Sequence, residues 1–112
     1  MSDPNNPPAS EDEKIERERR KAVRDAWKAE RDLVRRTGQG TRDWTDDEKR
    51  ELLDTGKVSG YDGHHINNVA DHPGLAGDPD NIEFVRKGQE HLDRHGGDYG
   101  NPTSGPLKHR TQ

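Results

Sequence analysis

The sequence contains no cysteine, a single methionine and only five aromatic residues (two Trp, two Tyr, one Phe), and it holds no long apolar run. Each absence excludes something. Without thiols, neither a disulfide nor a thiolate-bound zinc can brace the fold, and the redox compartment leaves no mark. A membrane-spanning helix needs about 20 nearly uncharged apolar residues, which this chain does not provide. The start does not read as an export signal either, because Met1 is followed by Ser-Asp-Pro-Asn-Asn-Pro-Pro, with neither a basic opening nor an apolar stretch. A soluble protein is expected, with any export using another route. With 23% apolar residues in a chain of 112, a packed core alone is marginal, since small domains bury only a modest fraction of their surface. Six histidines remain as the means of a metal clip.

Charge, by contrast, is abundant: 19 Lys and Arg stand against 23 Asp and Glu, for a net charge of -4. It is distributed unevenly. Residues 11–36 hold ten basic and eight acidic side chains, whereas residues 37–112 hold nine and fourteen. An acidic second part argues against tight non-specific DNA binding on its own, because affinity for phosphates comes from neutralising them and displacing their counterions. A bound divalent cation would change that local field.

Along the chain, residues 1–10 are rich in Pro, Asn and Asp and read as a disordered leader. Ser10 followed by Glu13 has the spacing of a capping box, and Ile15, Val23, Ala26, Trp27, Leu33 and Val34 fall roughly on one helical stripe, so residues 11–36 are expected to form one long helix. Its other faces are densely charged, which suits a solvated surface with i,i+4 pairs. A functional reading of the same run is a DNA-phosphate face made by Arg19, Arg20, Arg24, Arg31, Arg35 and Arg36. Gly38 and Gly40 end this helix. Thr45 with Glu48 opens a second, short one that stops at Gly56, with Leu52 and Leu53 as its core anchors. Val58 to Tyr61 and Ile82 to Val85 read as short strands, separated by a loop full of Asn, Asp, Gly and Pro. A last helix is expected from about Lys87 to His95, stopped by Gly96 and Gly97, and followed by an irregular tail.

Four of the histidines form two tight pairs: His64 and His65 are adjacent, and His91 and His95 are spaced i,i+4. On a helix, the second spacing puts two imidazoles on one face, where both can reach one cation. A third nitrogen from the strand or loop leaves a position open for water and substrate, the arrangement of catalytic zinc, whereas four closed ligands mark a structural site. In extended backbone His64 and His65 point in opposite directions and need not share a task. One can ligate metal while the other acts as a general base, a role suited to an imidazole of pKa near 6.5.

The order His64-His65, Asn81, His91, His95 resembles the HNH nucleases with a ββα-metal (His-Me finger) core. Within that superfamily, residues 38–107 look like the GHH-signature branch with colicin-DNase-like sites, found as C-terminal toxin domains of Rhs and related polymorphic toxins. The resemblance implies an α+β fold: a small nuclease core over residues 38–107, preceded by the charged helix (11–37) and the short second helix, with residues 108–112 as a tail. Carried over residue by residue, it implies that His64, His91 and His95 hold one divalent metal ion, that His65 activates the attacking water, and that Asn81 orients the loop holding that base. Asp62, two residues before His64, is a further candidate ligand, since related endonuclease VII-like sites use carboxylates. Zinc, magnesium, nickel and manganese all stay open, because imidazole suits transition ions while phosphate chemistry commonly uses magnesium. The activity implied is metal-dependent hydrolysis of DNA phosphodiester bonds by an antibacterial effector, delivered by a specialised secretion system into the target-cell cytoplasm and neutralised in the producer by a cognate immunity protein. A reading from another class uses the same histidines: a non-catalytic zinc module that binds nucleic acid or a protein partner.

Overall fold

Helix α1, Glu11–Thr37, carries Glu11, Asp12 and Glu13 in its first turn and Arg35 and Arg36 in its last, charges that oppose the helix dipole at both ends. In the computed structural model, which describes residues 11–88 and 102–110, it is the element against which the others pack. The Ser10 cap, the leader, His91 and His95 lie outside those residues. Ala22, Ala26, Glu30 and Val34, spaced i,i+4, form its fully buried row. The expected apolar stripe is therefore shifted: Val23 and Trp27 pack at its margin, Ile15 and Leu33 are half-buried, and a carboxylate sits in its centre. A count of apolar residues alone passes over Glu30.

Helix α2, Asp46–Thr55, forms as its caps dictate. Thr45 Oγ1 accepts from Glu48 N while Glu48 Oε1 accepts from Thr45 N, and Gly56 closes the helix at φ 89°, where a Cβ would be strained. Leu52 is fully buried and Leu53 partly so. The sheet has two antiparallel strands, β1 (Tyr61–His65) and β2 (Ile82–Arg86), with Tyr61 opposite Arg86, His64 opposite Glu83 and His65 opposite Ile82. β1 thus begins where the expected Val58–Tyr61 strand was to end. Gly60 turns the chain at φ 82°, and pairing with β2 extends a segment of Asp, Gly and His that has little strand preference of its own. Lys87 and Gly88 form a turn, with Gly88 at φ 84°, and the rest of the helix expected to His95 is outside the described residues.

Four aromatic rings make the centre of the core. Trp27 stacks on Phe84 at 3.8 Å between centroids, and Trp44 meets Tyr61 edge-on at 4.9 Å. Beside them is an ionic network. Arg110, fully buried, donates from Nε to Glu30 Oε1 (2.8 Å), from Nη1 to Pro79 O and from Nη2 to Ile82 O (2.7 Å each), and its guanidinium lies 5.1 Å from the Phe84 ring centre. Glu30 also accepts from Trp44 Nε1, Thr41 N and Thr41 Oγ1. Hydrogen bonds of this kind are what let a small core bury two charges. The described residues include no helix long and apolar enough to cross a membrane.

Candidate functional site

Strand alternation divides β1 between two surroundings. Tyr61, Gly63 and His65 face α1, and a Cβ built on Gly63 would fall 2.8 Å from Val23 Cγ1, so only glycine lets the strand lie this close to the helix. Asp62 and His64 face the other way, on the side of the sheet that also carries Glu83 and Val85. The two adjacent histidines thus diverge, as extended backbone requires.

His65 is half-buried, and its Nε2 lies 2.9 Å from the carbonyl oxygen of Ala76 in the inter-strand loop. A carbonyl can only accept, so Nε2 carries the proton and Nδ1 of the neutral ring holds the lone pair. Burial lowers the pKa of this imidazole below the ordinary 6.5; the Ala76 hydrogen bond works against that shift and nearby Arg19 adds to it. The lowered pKa favours the neutral ring, the form a proton acceptor must have.

The loop whose Ala76 carbonyl meets His65 is tied one residue earlier to Asn81. This side chain is fully buried between the loop and β2. Its Oδ1 accepts from Asn67 N and Nδ2 (2.9 and 3.0 Å), and its Nδ2 donates to Asn67 O (3.1 Å) and to Leu75 O (3.3 Å), one residue before Ala76. Asn67, absent from the residues picked out in the sequence, joins this unit to the C-terminal segment: its Nδ2 donates to Gly105 O and its Oδ1 accepts from Gly105 N. No motif spacing marks it.

The six arginines of α1 separate into groups. Arg19, Arg20 and Arg24 line, with Glu16, Val23, Gly63 and His65, a cleft of about 480 Å³ between α1 and β1. Arg31 instead donates to Leu53 O and Arg36 to Arg110 O, both tying elements together, while Arg35 pairs with Asp32 at the exposed surface. Half of the expected phosphate face therefore lies beside His65.

On the opposite face, His64 is buried and its Nδ1 is 3.3 Å from Glu83 Oε1. Asp62 is more open, with Oδ1 3.9 Å from Lys87 Nζ. Among the described residues no three His, Asp or Glu side chains converge on one point, and the two remaining expected ligands, His91 and His95, lie outside those residues. The donors that do meet, an imidazole and a carboxylate, are of the kind that binds first-row divalent ions. His72 and His109 are exposed and stand apart from the motif.

Comparison with known proteins identifies a family. The family described as GHH signature containing HNH/Endo VII superfamily nuclease toxin matches residues 10–86, a span that includes α1 as well as both strands. Among curated proteins, Teneurin-3 of Danio rerio is 41% identical over 75 residues and Teneurin-3 of Mus musculus 43% over 75, each match covering 67% of this chain and 3% of the relative. Teneurin-m of Drosophila melanogaster is 43% identical over 67 residues, 60% of this chain and 2% of that protein. The chain spans only 2–3% of the length of these relatives.

Proposed function

The chain belongs to the HNH/Endo VII superfamily nuclease toxins that carry the GHH signature, and from that premise we propose that it is a metal-dependent endonuclease that hydrolyses DNA phosphodiester bonds as an antibacterial toxin domain. The observation that carries the reading is His65: a neutral imidazole, fixed by the Ala76 carbonyl, at the edge of an arginine-lined cleft. Its Nδ1 takes the proton of the attacking water, and the hydrogen bond through Nε2–H stabilises the imidazolium that results. Asn81 is a positioning residue, acting through Leu75 O and the loop on the carbonyl that aims the ring. Arg19, Arg20 and Arg24 hold phosphates of the strand being cut, which brings the scissile bond to His65.

His64, His91 and His95 would hold one divalent cation, with Asp62 as a further candidate ligand. When bound, it supplies Lewis-acid stabilisation of charge growing on the phosphate and the departing oxygen. Zinc, magnesium, nickel and manganese are the candidates. As a toxin, the domain acts at the end of a larger secreted protein, reaches the target-cell cytoplasm through a specialised secretion system, and is held inactive in the producer by a cognate immunity protein. Since teneurins carry a similar segment, hydrolysis and toxicity are tested separately.

Supercoiled plasmid, with an RNA of similar length in parallel, is incubated with the protein and each of the four metals. Metal-dependent nicking of the plasmid is expected, with a loss of about 10²–10⁴-fold in His65→Ala. Full activity in that variant would remove His65 from its role. Growth arrest on intracellular expression supports the toxin, whereas a harmless wild-type protein that still cuts DNA overturns that half alone.

A further inference from the structure

Glu83 stands directly across the sheet from His64, on the face turned away from α1, and its Oε1 is 3.3 Å from the imidazole Nδ1. The His64 side chain is 5% exposed and that of Glu83 19%. Directly opposed residues on one sheet face bring their Cβ atoms to about 4.5–5.5 Å, so backbone register makes these two side chains neighbours. Asp62 shares the face but lies along the strand, its side chain 45% exposed and turned to Lys87. Of the two acidic residues on this face, Glu83 is the one that meets His64.

The separation bears on what the pair can do. A charge-assisted N–H···O hydrogen bond closes to about 2.7–2.9 Å. Two donors bonded at about 2.0–2.1 Å to one tetrahedral zinc-sized ion lie roughly 3.3–3.4 Å apart. The spacing of Nδ1 and Oε1 is long for a charge-assisted hydrogen bond and leaves both atoms within reach of one shared ion. Imidazole nitrogen and carboxylate oxygen are also a combination common at catalytic sites for first-row divalent ions.

We propose that Glu83 is a ligand of the same divalent cation as His64. The inference rests on the metal-dependent reading above and adds to it an oxygen donor from β2. It makes the sheet itself, one residue from each strand, a part of the metal site.

The test uses the full, metal-free chain and Co²⁺ alone, followed by visible absorption and by calorimetry. Wild type is expected to bind Co²⁺ and develop a ligand-field band. Glu83→Gln, equal in size but a poor ligand, is expected to bind more than about 10-fold more weakly and to shift that band, with His64→Ala as the reference for loss of an assigned donor. Binding of wild-type strength with an unchanged band in Glu83→Gln overturns the proposal. So does weaker binding with an unchanged band, which would make Glu83 only a positioning residue for His64. Circular dichroism of the metal-free variants establishes folding. If Glu83→Gln does not fold, Glu83→Asp, which withdraws the oxygen by one methylene, must shift the band and weaken binding, and failure to do either overturns the proposal. A wild-type chain that binds no Co²⁺ overturns the metal-dependent reading together with this one, whereas wild-type binding with an indifferent Glu83 overturns Glu83 alone.

Discussion

Glu30 and Arg110 stand 80 positions apart in the chain, yet their side chains form one ion pair in which both partners are completely buried. Removing one member leaves the other charge in the core without its counterpart, a loss of about 3–5 kcal/mol. Arg110→Ala is therefore expected to lower stability by that order in urea unfolding. Glu30→Gln combined with Arg110→Met is expected to cost much less than the sum of the single changes. A double-mutant cycle with no coupling between the two positions would contradict the network.

The lowered pKa of His65 sets two pH dependences. The unfolded chain binds a proton to this ring near pH 6.5, and the folded chain only at lower pH. Its contribution to stability is therefore fully present above 6.5 and is lost as pH falls through the folded value. Cleavage needs the neutral ring, so kcat/KM is expected to hold down to pH 6.5 and to decline only below it. NMR titration of the His65 ring gives the folded pKa directly, and a value above 6.5 would contradict both expectations.

Asn81 donates to two carbonyls and accepts from two N–H groups of Asn67. Asn81→Asp keeps the shape and the acceptor but sets a second oxygen against Asn67 O and Leu75 O. Each buried group left without its partner costs about 1–3 kcal/mol. The variant is expected to unfold at lower denaturant and, when folded, to cut DNA more slowly while binding it as tightly as wild type. A drop in affinity at unchanged rate would place Asn81 in substrate binding instead.

Arg19, Arg20 and Arg24 line the cleft beside His65, and Arg35 does not. Each phosphate contact contributes about 0.9 to the slope of log affinity against log salt concentration. Replacing Arg20 or Arg24 by Ala is expected to flatten that slope by about one unit for duplex DNA, and Arg35→Ala to leave it unchanged. Equal effects at all three positions would indicate diffuse attraction by α1.

Much of this could be read in the residues because the relevant chemistry is local. The Thr45–Glu48 box and Gly56 bound α2 by hydrogen bonds that span only a few positions, and the divergence of His64 and His65 follows from strand geometry once the backbone is extended. What escaped reading depends on distant partners. The start of β1 is set by pairing with β2 and by the approach of Gly63 to Val23, not by the preference of Val58 and Ser59 for extended backbone. Glu30 looks like one more solvated charge until Arg110 reaches it, and Asn67 and Glu83 acquire their places only through Asn81 and His64.

The position of Arg110 also orders events during synthesis. Its guanidinium bonds to carbonyls at 79 and 82 as well as to Glu30, so three regions made early must wait for a residue made late. Until residue 110 has been translated, Glu30 lacks its counter-charge. Maturation of the centre is thereby deferred until translation has passed residue 110.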